Sequence, residues 1–218
     1  GVVMLVYCIV VSALMENVYV VADEESKECI IVDPGAEPDR ILSEIDKLGL
    51  RVKLIVNTHA HVDHVGAVAT VKKRTGALYG IHNKDIPLLK EAASSSIVHM
   101  ISGFVPPPEP DIELVSGAII RAGSLMFNVL ETPGHTPGGL CFYGHDTVFT
   151  GDTLFQGSIG RFDFVGGDGR QLITSIFQEL MPLPDETRVL PGHGSETTIG
   201  EERQSNPFLN DSGIDLTK

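Results

Sequence analysis

The stretch Asn57-Thr58-His59-Ala60-His61-Val62-Asp63-His64-Val65-Gly66 places three imidazoles and one carboxylate within six residues. Side chains of these types hold divalent metal ions or move protons, and their clustering points to a metal or catalytic site. In extended backbone, residues two apart point the same way, so His59, His61 and Asp63 can converge while His64 turns elsewhere. One ion cannot easily take all four from so short a span. Two neighbouring ions can, with His59 and His61 on one and Asp63 and His64 on the other. A polar turn with incidental histidines is the competing reading, and the ligand density argues against it.

Three later positions extend the set. His135 stands in Thr132-Pro133-Gly134-His135-Thr136-Pro137-Gly138, Asp152 in Thr150-Gly151-Asp152-Thr153, and His193 in Pro191-Gly192-His193-Gly194. Each lies in a Gly-containing turn just past an apolar run, where a rigid backbone can hold a ligand. Taken singly, each reads equally well as a turn residue. Together with the first cluster they are hard to attribute to chance.

The elements that must position these residues follow from periodicity. Val52–Val56 is rich in β-branched residues and reads as a buried strand that delivers the first cluster from its C-terminal end. Val2–Val11 reads as a first, buried strand, and Val18–Ala22 and Cys29–Val32 as strands flanking a polar turn. Asp33-Pro34-Gly35 is a tight turn. Pro38 then opens a helix with Ile41, Leu42, Ile45 and Leu48 as its apolar stripe and Gly49 as its stop. Val65–Thr75 reads as a helix with Lys72, Lys73 and Arg74 in its last turn, Ala77–Ile81 as a strand, and Asn83 as the cap of a further helix. Periodicity fades over Ala93–Asp111, and within it Ser94–Pro110 is the candidate substrate-facing segment, because long loops are often functional. Met100, Ile101 and Phe104 would make it an apolar wall facing a substrate. Beyond it, 118–121, 125–130, 140–143 and 147–149 form a meander. A helix through Leu172–Leu180, a strand over 187–190 and a helix over 198–203 follow. Two strand-rich halves with helices imply an α/β, four-layer αβ/βα sandwich, and no linker divides residues 1–218, so a single domain is expected.

Composition narrows the functions. The 218 residues are 42% hydrophobic with a formal net charge of -13, enough for one sizeable core and unsuited to nucleic acid or an anionic membrane surface. Cys8, Cys29 and Cys141 lie in apolar runs without ligand spacing, which reads as buried reduced thiols and a cytoplasmic setting. The opening apolar run has no preceding basic residue or convincing cleavage site, so a strand is expected rather than a signal peptide.

The ordered pattern His59-x-His61-x-Asp63-His64, His135, Asp152 and His193 resembles the metallo-β-lactamase superfamily. The stretches Gly151-Asp152-Thr153-Leu154-Phe155, Gly157-Ser158-Ile159-Gly160-Arg161 and Asn206-Pro207-Phe208-Leu209 resemble its small glyoxalase II-like hydrolases. The resemblance implies two divalent metal ions, zinc first with iron or manganese as alternatives. His59, His61 and His135 would hold the first, Asp63, His64 and His193 the second, and Asp152 would bridge them with a hydroxide. Asp63 would also orient that hydroxide. The implied reaction is hydrolysis of a small-molecule thioester, a β-lactam being disfavoured because no Cys stands among the seven ligands. Arg161 matches a basic residue that holds substrate in glyoxalase II, whereas Asp163 stands where a Tyr is expected. Pairing of Arg161 with Asp163 or Asp168 is the alternative role. His82, His99 and His145 read as isolated polar turn residues. A persulfide dioxygenase with one iron on His59, His135 and Asp152 is the rival enzyme reading. Pro191-Gly192-His193-Gly194 and the lack of a Cys near Ser158 lean toward the hydrolase. A degenerate binding module is the non-enzymatic reading, and seven intact ligand positions oppose it.

Overall fold

In the computed structural model, which describes residues 2–210, two six-stranded sheets pack face to face with helices outside both. The first sheet runs in sequence order: β1 (Met4–Val11), β2 (Glu16–Asp23), β3 (Glu28–Val32), β4 (Arg51–Val56), β5 (Leu78–Ile81) and β6 (Ile112–Glu113). Its first three strands are antiparallel, and the pairs from β3 to β6 are parallel. A parallel return needs a crossover. Helix α1 (Pro38–Leu48) makes the first, α2 (Val62–Val65) with α3 (Val68–Thr75) the second, and α4 (Ile86–Glu91) lies in the third.

The second half begins with the expected meander, β7 (Ile119–Ala122), β8 (Leu125–Glu131), β9 (Leu140–Gly144) and β10 (Thr147–Gly151). A short ribbon of β11 (Leu154–Phe155) and β12 (Ser158–Ile159) follows, then α5 (Gly169–Ser175), which continues through a π-turn over Ile176–Leu180. Strand β13 (Arg188–Pro191) returns parallel to β10, and β14 (Thr197–Thr198) closes the sheet before α6 (Ile199–Ser205) and α7 (Pro207–Asn210). Three apolar clusters separate the four layers. Val20, Ile31, Ile41 and Ile55 fill the space under the first helices. Val21, Ile30, Phe127, Phe142 and Phe149 fill the gap between sheets, and Val148, Leu172, Ile176 and Val189 lie under α5. The sandwich expected from the alternation of strands and helices is therefore present.

Several local expectations are revised. Strand β1 is the edge of its sheet rather than buried, and Cys8 on it is exposed, while Cys29 and Cys141 are buried. The helix expected over Val65–Thr75 is two helices broken at Gly66-Ala67. There the Ala67 N–H is drawn to the Pro34 carbonyl at 3.0 Å, and a side chain on Gly66 would strike the Gly35 carbonyl. His82, not Asn83, caps the turn before α4, its Nδ1 accepting from the Lys84 N–H at 3.0 Å. The segment 94–110 folds back on the core: Ile101 is buried, Ser102 accepts from the Glu37 N–H, and the Val105 N–H donates to Gly66. Ile101 and Phe104, read as part of a substrate wall, thus lie against the Gly66 turn.

Gly35 shows how tightly the Asp33-Pro34-Gly35 turn seats against the first cluster. A Cβ there would collide with the Asp63 carbonyl and lie 2.6 Å from Glu16 Oε2. Gly35→Ala should therefore cost about 1–3 kcal/mol, the usual penalty for overpacking, and lower the urea midpoint. An unchanged midpoint would show that the turn does not press on the cluster.

Candidate metal centre

The strands β4, β8, β10 and β13 end at one rim of the sandwich, and the seven residues singled out by spacing meet there. Among the seven, two groups form with ligand atoms within 4.8 Å of one another: His59, His61 and His135, and Asp63, His64 and His193; a third such group joins His59 and His64 through Asp33. Asp152 stands between them, its Oδ1 3.4 Å from His64 Nε2 and its Oδ2 3.6 Å from His135 Nε2 and 3.7 Å from His193 Nε2. Gly192 leaves room for this, since a Cβ there would meet Asp152 Oδ1 and His64 Cε1.

The imidazoles are oriented from behind. His64 Nδ1 donates to Asp33 Oδ2 at 3.0 Å, His193 Nδ1 to the Leu14 carbonyl at 3.1 Å, and His135 Nδ1 to the Arg161 carbonyl at 2.5 Å. Thr58 gives its hydroxyl hydrogen to Asp33 and so accepts from His59 Nδ1 at 3.0 Å. In His59 and His64 the other ring nitrogen, Nε2, is buried without a hydrogen-bond partner, in keeping with outer partners that fix metal-binding tautomers. His61 is turned the other way, its Nδ1 2.9 Å from His135 Nε2. With its own Nδ1–H held by the Arg161 carbonyl, His135 Nε2 accepts this contact as a hydrogen bond from His61 Nδ1–H.

Burial and orphaned atoms give the same indication. His59 Nε2, His64 Nε2 and Asp152 Oδ1 are buried without a hydrogen-bond partner, a costly condition unless a ligand completes them. Burial first, and then the neighbouring imidazoles, push His59 well below its ordinary pKa and His61 down to about 4, so both are neutral donors near pH 7. Burial also opposes a charge on His64, but the Asp152 and Asp63 carboxylates outweigh it and raise its pKa. For Asp152, burial raises the pKa, but His64, His135 and His193 more than compensate and hold the carboxyl well below its usual range. The donor set of imidazole and carboxylate, without thiolate, suits zinc, iron or manganese.

Three carboxylates that spacing did not single out support the centre. Asp33, read as part of a turn, ties Asn57 Nδ2, the Thr58 N–H and hydroxyl and His64 into one network at 2.6–3.0 Å. Its position at the end of β3, beside the end of β4, was the available signal. Glu16 lies fully buried behind His64, with both oxygens lacking donors, and burial raises its carboxyl well above the usual range. Asp85 accepts from the Ala60 N–H at 3.0 Å, the Thr136 hydroxyl at 2.8 Å and the Gly138 N–H at 2.6 Å. It thereby joins the turn carrying His59 and His61 to the turn carrying His135. Asp85→Asn should weaken metal binding at that first group about 10–100-fold, as for other outer partners, with less effect on the second. A two-step cobalt titration followed by its absorption spectrum would reveal this, and equal loss at both groups would refute it.

Arg161 and its neighbours form the rim beside the first group. Arg161 donates bidentately to Asp163, Nε at 2.9 Å and Nη2 at 2.8 Å, and its guanidinium lies 4.5 Å from the Phe164 ring centroid. The Phe164 ring is edge-on to His61 at 5.1 Å. No feature of the sequence had marked Phe164. Of the other histidines, His82 lies 3.3 Å from Glu131, His99 is exposed, and His145 accepts from the Met126 N–H.

Comparison with known proteins places this rim in a family. The metallo-beta-lactamase superfamily model matches residues 11–193. The chain belongs to the metallo-beta-lactamase superfamily. It is 42% identical over 206 residues to the hydroxyacylglutathione hydrolase GloC of Haemophilus influenzae, covering 92% of this chain and 95% of that protein. Among solved structures, it resembles the BLEG-1 B3 metallo-beta-lactamase with a TM-score of 0.86 and 36% identity, over 94% of this chain and 99% of the other. It resembles the di-iron-bound form of TTHA1623 with a TM-score of 0.84 and 40% identity, over 93% and 100%. Similarity extends to ETHE1 from Myxococcus xanthus, with a TM-score of 0.81 and 31% identity over 96% and 86%. A metallo-hydrolase of this superfamily is the function these findings support. No helix among the described residues is long and apolar enough to cross a membrane.

Proposed function

We propose that the protein is a glyoxalase II-like thioester hydrolase with a binuclear metal centre. The observation that carries this reading is the pairing of two neighbouring side-chain groups, each with one buried ring nitrogen lacking a hydrogen-bond partner, around one carboxylate. His59, His61 and His135 would hold one ion and Asp63, His64 and His193 the other, with Asp152 reaching both. Bound there, two divalent cations would supply an acidified water at neutral pH and a Lewis acid for the thioester carbonyl. The chain's own residues do the positioning. Asp63, with its Oδ2 3.2 Å from His193 Nε2, would accept a hydrogen bond from the hydroxide and aim it, and Asp33, Thr58 and the Leu14 and Arg161 carbonyls keep the imidazoles aimed. The likeness to GloC supports a thioester substrate, and that to the di-iron form of TTHA1623 supports two ions and admits iron.

The likeness to ETHE1 favours one other reading, a persulfide dioxygenase with a single iron on His59, His135 and Asp152. Metal analysis of protein purified without added metal, paired with assays on S-lactoylglutathione and glutathione persulfide, separates the two. Two metal equivalents with thiol release are expected. One iron with oxygen consumption would replace the hydrolase reading.

A further inference from the structure

The rim above the ligand groups differs sharply from its floor. On one side Phe164 stands against His61 and, with ring centroids 6.1 Å apart, His135; it remains 42% exposed, and the adjacent Val165 is 89% exposed. On the other side Phe155 lies 6.4 Å from His193 between ring centroids. The β1–β2 turn also passes His193 there, with Leu14 accepting its Nδ1–H and Met15 67% exposed. These groups are apolar. Arg161, the cation beside the first group, has its charge matched by the bidentate contact to Asp163 and one face set against Phe164. That contact takes Nε–H and an Nη2–H and makes the exposed pair net neutral, so Arg161 attracts a second carboxylate less than an unpaired guanidinium would. The chain's net charge of -13 adds a field that repels anions at a distance, and two divalent cations would leave it acidic.

We infer that this rim selects thioesters whose acyl group and thiol carrier are uncharged and apolar, over the same acyl group on an anionic carrier. The inference rests on the thioesterase reading and specifies its substrate class. An apolar group leaving water against Phe164, Phe155 and Met15 gains transfer energy with its buried area. A carrier carboxylate would instead lose hydration beside an already neutral ion pair.

The test compares S-butyryl-N-acetylcysteamine with S-butyrylglutathione on the metal-loaded enzyme, and repeats both with Asp163→Asn, which leaves Arg161 without its carboxylate. The wild-type enzyme should show kcat/KM at least about tenfold higher for the neutral thioester. In Asp163→Asn the ratio should shift toward the glutathione thioester by at least about fivefold, and increasing salt should reduce that shift because the exposed charge is screened. Phe164→Ala should reduce kcat/KM for butyryl more than for acetyl on the neutral carrier. A wild-type preference for the glutathione thioester, or an Asp163→Asn ratio that does not move, would overturn the inference and leave the thioesterase intact. Failure to cleave either thioester with metals bound would remove the thioesterase reading itself, and this inference with it.

Discussion

Asp152→Ala protein is expected to lose metal from both groups and nearly all hydrolytic activity, more than any other single ligand change. The geometry gives the reason. Asp152 Oδ1 approaches His64 in the second group, while Oδ2 approaches His135 in the first and His193 in the second. Asp63 faces His64 and His193, and Asp33, although within 4.8 Å of His59 and His64, has its oxygens taken by Asn57, Thr58 and His64 Nδ1. Two cations held close together repel each other, and an anion between them offsets that repulsion. Removing it should lower affinity at each group beyond the 10–100-fold typical of outer partners. Metal stoichiometry after dialysis is the direct measurement, with circular dichroism to confirm the fold. A variant that kept two metal equivalents and near-normal thioester cleavage would show that Asp152 does not bridge.

The parts of this centre that could be read from the sequence share a physical property. A strand ending in His59-x-His61-x-Asp63-His64 concentrates side chains that are costly to bury without a partner, so their convergence at one place could be read from spacing alone. The isolated His135, Asp152 and His193 became legible because each follows a strand at one rim of the sandwich. The supporting groups gave no such signal. Asp33 looks like the first residue of a Pro-Gly turn until β3 and β4 are seen side by side, which brings it to Thr58 and His64. Asp85 works through backbone N–H groups of Ala60 and Gly138, and backbone donors have no sequence signature. Phe164 matters because the turn before α5 folds it against His61 and His135.

The same limit explains the misplaced elements. Apolar residues mark strands well but not their place in a sheet. Val2–Val11 therefore read as interior, although among the described residues β1 has only β2 beside it and exposes Cys8 and Val10. The break between α2 and α3 depends on a carbonyl of Pro34 that lies far away in sequence. Strands β6, β11, β12 and β14 are two residues each, too short for alternation to reveal.

His193→Ala separates the two enzyme readings in one experiment. In the structure His193 belongs to the second group: its Nε2 lies 3.2 Å from Asp63 Oδ2, and its Nδ1–H is held by the Leu14 carbonyl. It is not among His59, His61 and His135, which form the first group. If the enzyme is a binuclear hydrolase, the variant loses a direct ligand, should retain one metal equivalent instead of two, and should cleave S-lactoylglutathione at least about a hundredfold more slowly. If a single iron sits on His59, His135 and Asp152, the same change removes no ligand, and iron content should be nearly unaffected. The expected result is the first. One tightly held iron both before and after the substitution, with persulfide oxidation intact, would assign the centre to the dioxygenase, because His193 would then face a position that never carries an ion.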